Sequence, residues 1–128
     1  MPHTDRARLA LAAAAVAVLA ACGPDEPAET TQQIVRQGDP DAGRAQILEY
    51  GCASCHAIPG VPGVEHGVGP DLDNLEDRRY LAGQLPNRPE ELIRWLQNPQ
   101  EIAPGTVMPD MGVTEQDARD IAAYLYEQ

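Results

Sequence analysis

The chain has 128 residues, room for one small domain, and it contains no Phe and a single Trp, so its interior is short of large apolar side chains. Every basic residue is Arg, and the balance of 9 basic against 20 acidic side chains gives a formal charge of −11. Such a surface repels phosphate backbones and excludes nucleic acid as a partner.

The first eight residues carry Arg6 and Arg8, and Leu9 to Ala21 is an unbroken run of Leu, Ala and Val. An apolar run of that length behind a basic start matches the core of a secretory leader and is too short to span a bilayer. It ends Leu19-Ala20-Ala21-Cys22, which resembles the lipobox of bacterial lipoproteins. The resemblance implies a signal peptide over 1–21, lipidation of Cys22, and export to the periplasmic face of a bacterial membrane. The alternative is an ordinary cleaved leader with Cys22 left as a free thiol. Lipoprotein-type modification adds more than one acyl chain, which stable anchoring requires. Without residues 1–21 the charge becomes 7 − 19 = −12. Residues 22–38 are rich in Pro, Glu, Thr and Gln without apolar periodicity, the composition of a disordered tether. As a coil it reaches roughly 20–25 Å, enough for a globular head to range over a membrane surface.

The head, 39–128, reads as all-α with three main helices and short turns. Asp39-Pro40 supplies an N-cap followed by proline at the first helical position, and a helix runs to about Tyr50 with Gly43, Ile47 and Leu48 on its buried side. Residues 58–72 hold several Gly and Pro and read as loop, with His66 a surface residue. Leu81, Ala82 and Leu85 suggest a further short turn, and no stretch alternates as a strand. A second helix is expected from Asn87, whose spacing to Glu90 suits a capping box, to Asn98-Pro99; its apolar positions are Leu92, Ile93, Trp95 and Leu96. A third opens at Thr114, with Asp117 at the capping-box position, and carries Ala118, Ile121, Tyr124 and Leu125 on one face. Tyr124 is expected to pack this helix against the first, near Gly43 and Ile47.

Between the first helix and the loop lies Cys52-Ala53-Ser54-Cys55-His56, the C-x-x-C-H signature of covalent c-type haem attachment. Thiols at i and i+3 of one helical turn face the same way, so both sulfurs reach the two vinyl groups of one porphyrin. The adjacent imidazole then stands under the ring, where it can bind iron. A structural zinc site would need two more ligands in a second cluster, and none follows. A thioredoxin-like motif would need flanking strands.

From about Asp39 to the C-terminus the chain resembles class I c-type cytochromes. The matching pieces are Gly43 and Ile47 before Cys52–His56, then Gly69-Pro70-Asp71-Leu72, Trp95-Leu96-Gln97-Asn98-Pro99, Pro104-Gly105-Thr106-Val107-Met108 and Asp120-Ile121-Ala122-Ala123-Tyr124-Leu125. Tyr80 to Pro109 resembles the cytochrome domain fused to subunit II of some haem–copper oxidases. The resemblance implies a cytochrome c fold around one covalent haem c. Cys52 and Cys55 would form the thioethers, with His56 and Met108 as axial iron ligands and Met111 as the rival to Met108. His/Met ligation raises the reduction potential, because a thioether is a soft donor that favours ferrous iron. The resemblance further implies that the Pro70 carbonyl accepts the free ring N–H of His56 and that Leu72 packs on the haem. Trp95 stands near the distal side or in the helix core. Arg78 and Arg79 are candidates to pair with a propionate, the alternative being solvated charge, and Tyr80 is a candidate propionate donor. Many soluble relatives dock through lysines around the haem edge, and this chain has none.

The function implied is one-electron transfer without enzymatic chemistry: a membrane-tethered carrier between a quinol-oxidising complex and a terminal oxidase. Three rival readings are an electron-transfer subunit of a periplasmic dehydrogenase, a pentacoordinate haem peroxidase or sensor, and a haem-free lipoprotein whose Cys52/Cys55 pair acts as a thiol switch or metal clip.

Overall fold

The computed structural model describes residues 37–128. The expected leader (1–21), Cys22 and all but the last two residues of the expected tether (22–38) lie outside the described residues. Four helices make up the described chain: α1 (Pro40–Glu49), α2 (Pro89–Gln97), α3 (Pro99–Ile102) and α4 (Glu115–Tyr126). Two single-turn 3-10 segments, Cys52–Ser54 and Leu75–Asp77, and a short antiparallel pair, β1 (Tyr80–Leu81) with β2 (Leu85–Pro86), connect them.

Local chemistry starts and stops these helices. The Asp39 carboxylate accepts the N–H groups of Asp41 (3.0 Å) and Ala42 (3.2 Å), satisfying donors that the first turn of α1 cannot use, and Pro40 has no N–H to lose. The chain leaves α1 through Gly51, whose left-handed φ of 72° turns it into the Cys52 segment. At α4 the Thr114 hydroxyl accepts the Asp117 N–H at 3.2 Å and donates to the Asp117 carboxylate at 2.7 Å. No helix among the described residues is long and apolar enough to cross a membrane.

α1 and α4 form the most extensive helix pair, and they cross at the backbone of Gly43. A Cβ there would collide with the Asp120 carbonyl and the Ile121 nitrogen, so only glycine permits this approach. Polar groups fix the crossing. Asp120, 5% exposed, accepts the Asp39 N–H (2.9 Å), the Gln116 amide (2.9 Å) and the Gln46 amide (3.3 Å). Asp117 accepts Gln46 at 2.6 Å and the Tyr50 hydroxyl at 2.7 Å. Ile47, Leu92, Leu96, Ile121 and Leu125 close a common core beneath these contacts.

Several details differ from the sequence reading. Leu48 is 43% exposed, because the buried stripe of α1 narrows to Gly43 and Ile47 where it meets α4. Asn87 does not cap α2; the helix begins after Arg88 without a side-chain cap. The Asn87 amide instead donates to the carbonyls of Leu75 (2.6 Å) and Arg78 (2.8 Å) and accepts the Tyr126 hydroxyl at 2.6 Å, pinning the 75–80 loop to the end of α4. Burial, reinforced by the Glu90 carboxylate, pushes that phenol well above its usual range, keeping it a neutral donor. The turn expected near Leu81 is a minimal hairpin, Tyr80 facing Pro86 and Leu81 facing Leu85, with Ala82 and Gly83 both at positive φ. Tyr124 belongs to the core cluster that holds Ile47, as expected, and its hydroxyl also reaches the loop after the cysteine motif, donating to the Pro59 carbonyl at 2.6 Å.

The Asp117 acceptor site sets a pH dependence. The Tyr50 hydroxyl, with the Thr114 hydroxyl second, holds the Asp117 carboxyl below its ordinary 3.8, and the same bond raises Tyr50 above 10.0. A carboxylate with a lowered folded pKa stabilises the fold fully above its unfolded value and loses that contribution as pH falls through the folded one. Asp117→Asn should therefore lower the thermal midpoint at pH 7, and the gap to wild type should close below about pH 3. Melting curves at pH 7, 5 and 3 check this; a gap that stays constant across them contradicts it.

Candidate functional site

The helices and loops surround a cavity of about 780 Å³, within the roughly 300–1,000 Å³ range of ligand pockets. Ile47, Leu75, Leu92, Leu96, Ile121 and Leu125 give it apolar walls. Cys52, Cys55, His56, Met108 and Met111 line the same space.

The cysteine segment opens on a 3-10 turn, Cys52–Ser54, with Cys55 at its C-cap. The Cys55 and His56 N–H groups both reach the Cys52 carbonyl, at 3.1 and 3.0 Å. The turn leaves both cysteines on the cavity wall. Burial pushes the Cys52 thiol up, and Cys55 adds to the shift against a backbone hydrogen bond. A reactive redox cysteine needs the opposite, a lowered pKa. Among the described residues no three His, Cys, Asp or Glu side chains stand together as a metal site.

His56 is oriented by the loop that follows it. Its Nδ1 lies 2.7 Å from the Pro70 carbonyl oxygen. A carbonyl only accepts, so Nδ1 carries the proton and Nε2 keeps its lone pair, the tautomer a metal ligand requires. The loop is stitched to the motif by three backbone bonds: Val64 N–H to Ala53 (3.0 Å), Gly69 N–H to Cys55 (2.9 Å) and Leu72 N–H to Ala57 (2.8 Å). Gly69 is required because a Cβ there would overlap the His56 ring. Pro70 and Leu72 both line the cavity.

The methionine loop is held by a residue that sequence reasoning missed. The Gln100 amide donates to the carbonyls of Thr106 (2.7 Å) and Met108 (2.8 Å), and its oxygen accepts the Gly105 N–H at 3.4 Å. Asp110 accepts the Gln100 N–H at 3.4 Å, closing the loop from its other end. Gln100 sits in α3, a helix the sequence reading ended before. The signal was present: proline after a short polar residue opens α3 at Asn98-Pro99 as it opens α1 at Asp39-Pro40.

Trp95 is half-buried, packs on the core and also lines the cavity. The Arg78 side chain lines it too, but its guanidinium donates to the carbonyls of Asp71 (2.5 Å) and Asp73 (3.0 Å) and pairs with the Asp73 carboxylate at 3.4 Å. Arg79 is exposed and is not part of the cavity wall. Tyr80, on the same side as Arg78, stands at the rim, 63% exposed. His66 is exposed and outside the cavity.

These residues fit a haem. The cavity has the volume and apolar walls for a porphyrin, two cysteines on its wall for covalent attachment, an imidazole with Nε2 free, and thioethers as soft donors.

Known proteins agree with that fit. The Cytochrome c family model matches residues 40–128. Cytochrome c oxidase subunit 2 of Alkalihalophilus pseudofirmus is 35% identical over 101 residues, covering 78% of this chain and 27% of that protein. The subunit 2 of Bacillus sp. strain PS3 is 29% identical over 99 residues, covering 74% and 26%. The chain thus spans about a quarter of the length of these oxidase subunits. A cytochrome c from Theileria annulata is 32% identical over 106 residues, covering 73% of this chain and 90% of that one. Among solved structures, cytochrome c2 from Rhodobacter sphaeroides aligns with a TM-score of 0.49 at 22% identity, covering 70% of this chain and 95% of that one. The family match starts at the first residue of α1 and runs to the C-terminus, leaving no described helix outside it: the chain belongs to the cytochrome c family, and its prosthetic group is one covalently bound haem c.

Proposed function

We propose that this protein is a membrane-tethered, single-haem electron carrier on the periplasmic face of a bacterial membrane, passing electrons from a quinol-oxidising complex to a terminal oxidase. Family membership makes it an electron-transfer protein. Similarity to two oxidase subunits over the haem-bearing segment supports the oxidase as acceptor. The basic-then-apolar leader ending at Cys22 supports the tether.

Bound haem supplies an iron that exchanges one electron between ferric and ferrous states. The chain's part is to hold that iron still and dry. Cys52 and Cys55 would hold the macrocycle through thioethers. His56 would bind the iron through Nε2, its ring held by the Pro70 carbonyl. Met108 would bind it through its thioether sulfur, on a backbone segment that Gln100 straps at both Thr106 and Met108. Ligands held from outside the cavity need not move when charge changes, which keeps electron exchange fast. Leu72 and Trp95 line the cavity and would pack against the ring, and Tyr80 at the rim would donate to a propionate. Arg78 is already committed to Asp71 and Asp73, so its contribution is to brace the proximal loop.

The single observation that carries this reading is His56 held by Pro70 on the wall of an apolar cavity shared with Met108. An enzymatic reading has less support. The other histidine among the described residues, His66, lies outside the cavity, and no free cation lines it for acid–base work.

Met108→Ala should abolish the low-spin His/Met spectrum and the ferric methionine charge-transfer band, while Met111→Ala leaves both in place; the reverse pattern would move the ligand to Met111. For the anchor, Cys22→Ser should shift the protein from the membrane pellet to the soluble periplasmic fraction with its absorption unchanged. Retention in the pellet would overturn lipid tethering.

A further inference from the structure

The two segments that bear His56 and Met108 are held in different ways. His56 is tied through its own N–H to the Cys52 carbonyl (3.0 Å), through its ring to Pro70, and through the three backbone bonds between its loop and the cysteine turn. Met108 has no such redundancy. Among the described residues, no backbone–backbone hydrogen bond involves residues 107–113. The Met108 N–H reaches the Thr106 hydroxyl at 3.4 Å, inside the same loop. Gln100 makes the remaining hydrogen bonds of this stretch: its side-chain amide serves the carbonyls of Thr106 and Met108, and its backbone N–H serves Asp110. Val107, Pro109 and Asp110 are exposed on either side of half-buried Met108, so solvent lies directly behind the loop.

A primary amide suits this position. It donates twice and accepts at the same time, whereas a carboxylate has no donor and a guanidinium no acceptor. Building on the reading of Met108 as distal ligand, we propose that Gln100 is a positioning residue that decides whether small external ligands reach the distal side of the haem cavity. With the strap made, the loop keeps Met108 on the cavity wall and shuts the medium out. With the strap broken, the Thr106 and Met108 carbonyls turn to water and the loop opens, while the bonds that hold His56 stay intact. A small ligand binds only the open form, so its apparent affinity is its intrinsic affinity scaled by the open fraction.

Imidazole titration of the ferric holoprotein, followed by absorption, tests this. Gln100→Leu keeps the bulk and deletes the amide; it should bind imidazole about tenfold more tightly than wild type, since two hydrogen bonds no longer oppose opening. Its reduction potential should fall, because a loosened thioether favours ferrous iron less. Gln100→Glu has the same shape without the donors, should behave alike, and carries the test if the Leu variant does not fold. Arg44→Leu removes a strap from Gly60, on the loop after the cysteine motif, and should keep wild-type affinity and potential. Wild-type imidazole affinity in the Gln100 variants, or an equal gain in Arg44→Leu, would overturn the gate. Absence of the ferric methionine band from the wild-type protein would instead overturn the Met108 reading on which it rests.

Discussion

The architecture is governed by a cavity its own side chains do not fill. Its walls, Ile47, Leu75, Leu92 and Leu96 among them, are apolar, so the group that fills it completes the hydrophobic core. A chain without Phe has placed its missing interior in a prosthetic group. The polypeptide is a shell whose two longest helices clamp across Gly43 and whose loops are pinned by polar straps.

Those straps share a design. Side chains reach from a helix end or hairpin to the backbone of a loop that has no regular structure of its own. Asn87 holds the 75–78 carbonyls, Gln100 holds Thr106 and Met108, Tyr124 holds Pro59, and Arg44 holds Gly60 at 2.9 Å. Each satisfies backbone groups that irregular chain would otherwise leave to solvent. The segments bearing His56 and Met108 are thereby fixed without helices, which lets the ligands approach an iron from loops while α1, α2 and α4 supply apolar wall.

Much of this was legible in the residues. Periodic apolar positions located α2 and α4, the caps at Asp39 and Thr114 located helix starts, and the Cys52–His56 spacing picked out residues that line the cavity. What escaped detection was interaction between residues with no periodic relation. Asn87 looks like a cap three residues before Glu90, yet its amide serves two loop carbonyls and a half-buried phenol instead of the first turn of α2. Leu48 reads as core on a helical wheel, but helices that meet at a glycine bury a stripe too narrow to include it. Arg79 and its neighbour Arg78 are chemically identical, and only the loop carbonyls of Asp71 and Asp73 distinguish them by holding Arg78 at the cavity wall.

Under the proposed function, the acidic, lysine-free surface would meet its partners in a membrane plane, where tethering replaces long-range steering. All of it presupposes that the haem is the core of the fold as well as its redox centre. Calorimetry of Cys52→Ala/Cys55→Ala produced without haem, beside the loaded wild type, tests this most directly. The account predicts no cooperative endotherm for the haem-free chain. A sharp transition within a few degrees of the loaded protein would contradict it.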